Sequence, residues 1–248
     1  MRKKSKETTE GIFPGKTPVK IGIPIYEDFD SLDMAGPNQV FYFLEPLGVD
    51  VMLVGPDACT PVRSLEGLRI FPHISFDDCP QLDIFYVPGG YGDGYTNLLK
   101  NLDDPYYAFI KKQAERATLV TSVCTGAHIM ARAGLLDGYK CTTHWAYKEA
   151  LELFPDVKVK RKYPRWVIDG NRITGGGISS GIDEALKIAA IIKGDDAAQE
   201  VQLSMQYNPN PPFKGGDPKN APKHIVKHCG SVYAGKQLKK TLEEILDS

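Results

Sequence analysis

The five cysteines of this 248-residue chain (Cys59, Cys79, Cys124, Cys141 and Cys229) are odd in number, scattered, and form no C-x-x-C pair. That spacing argues against a disulfide framework or a structural zinc site and fits a reducing cytoplasm. No run approaches the ~18 apolar residues of a membrane span, and the first residues, MRKKSKETTEGIFPGK, lack the apolar stretch of a secretory signal. A cytoplasmic protein off the membrane is expected. An excess of one charge is missing too: 30 basic against 31 acidic residues give a net charge of −1. No strongly basic face follows from that balance, and nucleic acid is not an expected partner. The glycines of Gly175-Gly176-Gly177 lack both a P-loop Lys-Ser and a G-x-G-x-x-G after a first strand, so they read as close backbone approach rather than a phosphate cradle.

What is present centres on the run TSVCTGAHIMARAGLL around Cys124. Thr118 to Val123 reads as a short buried strand, and Gly126 to Leu136 as a helix with Ile129, Met130 and Ala133 at helical spacing. A cysteine on so sharp a strand-to-helix turn is a nucleophile elbow: the turn lifts the side chain out of the sheet and aims helix N–H groups at it. Those donors and the positive end of the helix dipole are expected to lower the thiol pKa. An arbitrary cysteine is more often packing, but Gly126 and Ala127 directly after it favour chemistry.

Along the chain, strands alternate with helices. Strands are expected at Val19–Tyr26, Val49–Val54, Gly67–Phe71 and Asp83–Val87, and helices at Asp33–Leu44 and from Pro105, where Pro suits a first helical position. After His144 come a helix (Trp145–Leu153) and a hairpin in which Val157–Lys160 and Arg165–Ile168 turn at Asp169-Gly170 into Arg172–Thr174. Helices are then expected at Asp183–Ile192 and Ala197–Tyr207. Asn208–Pro222 (NPNPPFKGGDPKNAP) cannot be regular, and one amphipathic helix carrying Val232, Leu238, Leu242, Ile245 and Leu246 closes the chain. The fold class is α/β, with a parallel sheet sandwiched by helices. Residues 1–18 are expected to form a flexible arm, 19–222 the α/β domain and 223–248 a helical extension. Ligands of such sheets bind beyond the carboxyl ends of the strands, where Asp33, Gly89-Gly90 and Cys124 all fall.

The Pro-Gly-Gly after the third strand, the V-C-T-G elbow, TTHW at Thr142–Trp145 and TGGGISSGID at Thr174–Asp183 resemble the ThiJ/PfpI superfamily. SLDMAGP at Ser31–Pro37 and QYNPNPPFKGGDP at Gln206–Pro218 resemble its isonitrile (isocyanide) hydratase branch. The resemblance runs from about Val19 to Pro222. It implies a flavodoxin-like sandwich, a homodimer, a small-molecule substrate and no cofactor. It also implies that Cys124 is the nucleophile and Asp33 its acidic partner. Backbone N–H groups near Gly90 and at Thr125 would hold developing negative charge, and Ile178 would line the site.

Position alone reads Asp33 as a helix N-cap, and a cap does not exclude catalysis. Glu27, at the end of the first strand, is the alternative acid and matches the glyoxalase- and deglycase-like members. Thr125 stands where peptidase-like relatives carry a histidine. His144 is expected beside the cysteine as a supporting group, and His128 against a neighbouring helix. His224, His228 and Cys229 offer no third metal ligand of clear geometry, so no metal site is expected. A rival class is a ligand-sensing domain like those of AraC-type regulators, although the stretch after Pro222 is short for a DNA-binding region. A redox sensor is the third reading, since an elbow thiolate oxidises easily.

Overall fold

The structure, a computed structural model, describes residues 11–232 and 235–247. β1 (Val19–Pro24) and β2 (Val49–Gly55) are joined by α1 (Ser31–Tyr42). Three two-residue strands follow: β3 (Val62–Arg63), β4 (Arg69–Ile70) and β5 (Ile74–Ser75). β6 (Ile84–Val87), α2 (Asp93–Lys100) and α3 (Pro105–Ala114) lead to β7 (Leu119–Ser122) and α4 (Gly126–Arg132). Next come β8 (Lys140–Cys141), α5 (Lys148–Leu151), β9 (Lys158–Val159), β10 (Trp166–Asp169) and β11 (Arg172–Gly175). α6 (Ser180–Lys193), α7 (Asp195–Ser204), α8 (Lys223–Val232) and α9 (Gly235–Leu246) complete it.

Seven strands form one sheet in the order β10-β11-β7-β6-β1-β2-β5, parallel throughout except for β10, which pairs antiparallel with β11. β6 and β7 are buried at every position, as strands covered on both faces must be. The chain steps from β1 to β2 in one direction and from β6 to β7 in the other. Right-handed crossovers therefore put α1 on one face and α3 on the opposite one. The crevice at that reversal, between the carboxyl ends of β1 and β6, is where α/β sheets of this kind accept ligands. α1 packs on α6, and α4 on α2 and α5.

Several elements differ from the sequence reading. α1 begins at Ser31, and its cap is Asp30, whose Oδ1 accepts the N–H of Leu32 at 3.0 Å and of Asp33 at 3.3 Å. Asp33 is therefore not the cap; it lies one turn inside, fully buried. Helix α2 occupies residues read as loop. Val157–Lys160 does not join the hairpin: β9 pairs in parallel with β8, while β10 and β11 turn at Asp169-Gly170 as expected. The terminal helix is two helices. A Cβ at Gly235 would lie 2.0 Å from the Ala146 carbonyl oxygen, so α9 can begin against that backbone only with a glycine. The expected N-terminal arm lies outside the described residues up to position 10. From Gly11 onward it is seated, with the Ile12 N–H donating to Ile191 O at 2.9 Å and Lys16 paired with Asp83.

Candidate active site

Cys124 follows β7 and precedes α4 with φ at +54°, a left-handed conformation that costs a non-glycine residue about 1 kcal/mol. Neighbouring backbone fixes that turn. The Cys124 N–H donates to Gly176 O at 2.8 Å, and its carbonyl accepts the Thr143 hydroxyl at 2.7 Å. The glycines make this approach possible: a Cβ at Gly177 would meet His144 Cδ2 at 2.6 Å, and one at Gly126 would meet Val87 O at 2.4 Å. The thiol is 5% exposed and receives the N–H groups of Thr125 and Ile178.

Asp33 reaches the same point from α1. Its Oδ2 accepts the Gly89 N–H at 2.9 Å, and its carboxyl and the Cys124 thiol lie close enough to shift each other's pKa. Oδ1 has no hydrogen-bond partner among the described residues. Burial, then the charge of Asp30, pushes the Asp33 pKa well above the ordinary carboxylate value. Burial, then the Asp33 charge, pushes the Cys124 thiol up as well. The expected lowering by the helix terminus is therefore outweighed: two N–H groups do not offset full burial beside a carboxylate. Ionising both groups would bring two negative charges together in a buried site, so the pair keeps one proton between them and titrates as a unit.

Gly90 and Thr125 are brought together, but as a clasp. The Gly90 N–H donates to Thr125 Oγ1 at 2.8 Å, and that hydroxyl donates to Gly90 O at 2.7 Å. The Gly90 N–H is thus engaged, and the donors directed at sulfur are Thr125 and Ile178. His144 is packed beside Gly177, its Nδ1 accepting the Ala146 N–H at 3.2 Å; burial lowers its pKa to about 4, so it is neutral near pH 7. Glu27 is not brought to the thiol. The chain turns at Asp28 (φ 65°), sending Asp28 inward to Arg63 and Gly94 and leaving Glu27 exposed on the Arg63 backbone N–H at 3.1 Å. His128 is buried between Thr125 O and Tyr147 O. No metal-holding group of His, Cys, Asp and Glu occurs among the described residues.

Sequence reasoning missed Glu184. It sits fully buried on α6 under Gly175, its Oε2 accepting the Tyr86 hydroxyl at 2.7 Å and its Oε1 unpartnered. The signal was an acid at helical spacing among Gly181, Ala185, Ile188 and Ala189, on the buried face of the helix. Burial raises its pKa well above the model-compound 4.5. A group that holds its proton more tightly when folded stabilises the fold fully below that value and loses the contribution as pH rises. Glu184→Gln keeps an acceptor for Tyr86 and removes the titration. Thermal melts should favour the variant increasingly from pH 4.5 toward 8, by up to about 1.4 kcal/mol per pH unit; a pH-independent difference would refute this reading.

A cleft of about 1070 Å³ runs past Thr143 and Gly176, the two residues hydrogen-bonded to the Cys124 backbone. His144, Gly177 and Ile178 also line it, together with Tyr207 and Phe213 from the irregular segment after α7. Residues 19–191 match the DJ-1/PfpI family. The chain belongs to that family. It is 44% identical over 208 residues to the isonitrile hydratase of Pseudomonas putida, across 84% of this chain and 87% of that enzyme. It is 30% identical over 202 residues to the HTH-type transcriptional regulator GbdR of Pseudomonas aeruginosa, matching 77% of this chain but 52% of the regulator. Among solved structures, a THiJ/PfpI family protein from Pseudomonas syringae superposes with a TM-score of 0.83 at 32% identity, covering 97% of this chain and 98% of that one. Drosophila melanogaster DJ-1beta shares the DJ-1/PfpI fold at a TM-score of 0.66 and 21% identity, over 77% of this chain and 98% of that one.

Proposed function

We propose that the protein is a cysteine-dependent isonitrile hydratase-like enzyme that converts an isocyanide into an N-substituted formamide. The observation carrying this is the buried Cys124–Asp33 pair, with one carboxylate oxygen unpartnered, beside the residues that line the cleft. The reaction begins when the Cys124 thiol passes its proton to Asp33, which makes the sulfur a thiolate and the carboxyl an acid. Sulfur adds to the terminal isocyanide carbon while Asp33 delivers its proton to that carbon, giving a thioimidate. Water then attacks the same carbon, with Asp33 taking a proton from it and passing one to nitrogen. The carbon–sulfur bond then breaks as Asp33 takes the remaining hydroxyl proton, so thiolate leaves, the N-substituted formamide departs and the carboxyl is again an acid. The balance is one isocyanide plus one water to one formamide, so no cofactor is required. The N–H groups of Thr125 and Ile178 stabilise the thiolate at the start and end of the cycle.

Likeness to the Pseudomonas putida enzyme supports the choice of reaction, and a homodimer in the cytoplasm fits the same reading. No described helix is long and apolar enough to cross a membrane. The test is formamide production from a simple alkyl or aryl isocyanide. Turnover by wild type is expected; methylglyoxal consumption in its place would reassign the protein to a glyoxalase-like chemistry.

A further inference from the structure

Another cavity, about 650 Å³, is lined by Lys140, Lys158, Lys160, Arg161, Lys162 and Trp166 and meets the cleft only at Pro164. The sequence-wide charge balance hides this cluster, because Lys140 is brought to the 158–162 segment only by folding. Lys140 and Lys158 are direct partners in the β8–β9 ribbon, where like charges facing each other are destabilising. None of the five cations takes part in an ion pair among the described residues, and no acidic side chain lines the cavity. Alternation along β9 explains the geometry: Val157 is buried and Val159 partly so, while Lys158 and Lys160 are exposed. The rest of the lining is apolar, from Val159, Pro164 and Val167, with the partly exposed Trp166 indole beside them.

A concave site walled by one sign of charge focuses its field on an anion, and a partly exposed indole in its wall offers an aromatic surface for a ring. We propose that this cavity binds a nucleotide-sized anion, with its phosphates on the lysines and Arg161 and its aromatic ring on Trp166. The volume fits a small molecule, and the concavity and apolar floor favour one over an extended polyanion. The proposal is independent of the reaction assigned to Cys124.

Isothermal titration of the full chain with ADP, inorganic pyrophosphate and adenosine tests it. ADP should bind saturably and more weakly as salt is raised. Pyrophosphate should bind at least about tenfold more weakly, adenosine should give no saturable signal, and the Lys158→Gln/Lys160→Gln/Lys162→Gln variant should lose at least about tenfold in ADP affinity. These side chains are exposed, so circular dichroism should show the variant folded. Four results would each overturn the proposal: no saturation by ADP at millimolar concentration, unchanged affinity in the variant, pyrophosphate matching ADP, or a single-stranded oligonucleotide binding far more tightly than ADP.

Discussion

Replacing Cys124 with alanine should reduce formamide production by about 10⁴-fold or more, because the covalent intermediate has no other sulfur to form on. The fold should survive. Alanine occupies the same backbone, the bonds from Cys124 N–H to Gly176 O and from Thr143 Oγ1 to Cys124 O do not involve the side chain, and the φ of +54° burdens both residues alike. Circular dichroism and melting should therefore match wild type within a few degrees while turnover disappears. Intact-mass analysis during turnover provides an independent reading: wild type should gain the mass of one isocyanide at Cys124, and Cys124→Ala should gain none. A fully active alanine variant would remove the thiol from the reaction.

The elbow was legible because its information is local. A β-branched run, a cysteine and two small residues fall within ten positions, and the structure needs each of them where it stands. Asp33 was harder. Asp30 and Asp33 are three residues apart at one helix start, and only the folded chain shows that the first caps and the second is buried. Glu27 and Asp28 present the same ambiguity, settled by a left-handed residue that sends one outward and the other inward. Helix α2 was missed because it opens with Gly92-Asp93-Gly94, residues that favour turns. The basic cavity and the Glu184–Tyr86 contact were not legible at all. Both join segments distant in sequence, and composition averages such clusters away.

The carboxyl choice leads to the second large effect. Asp33→Asn should lower turnover by about 10²- to 10⁴-fold, the range expected for losing a positioned acid–base group. Glu27→Gln should leave it within about twofold, since Glu27 meets only Arg63 at the surface, where ionic contacts are weak. The asparagine variant should also separate the two halves of the mechanism. Asp33 raises the Cys124 pKa through its charge, so removing that charge lowers it. Site-resolved alkylation of Cys124 near pH 7 should then be faster in Asp33→Asn than in wild type, although turnover has collapsed. Stability should move in the same direction. A carboxyl whose folded pKa lies above its ordinary 3.8 stabilises the fold below that value and costs stability as pH rises through the folded pKa, so the variant should melt no lower than wild type at pH 8. Slower alkylation in Asp33→Asn would instead mean that Asp33 draws the proton from the thiol in the resting enzyme. Full activity in Asp33→Asn with a severe loss in Glu27→Gln would transfer the acid role to the end of β1 and the reaction to the glyoxalase-like branch.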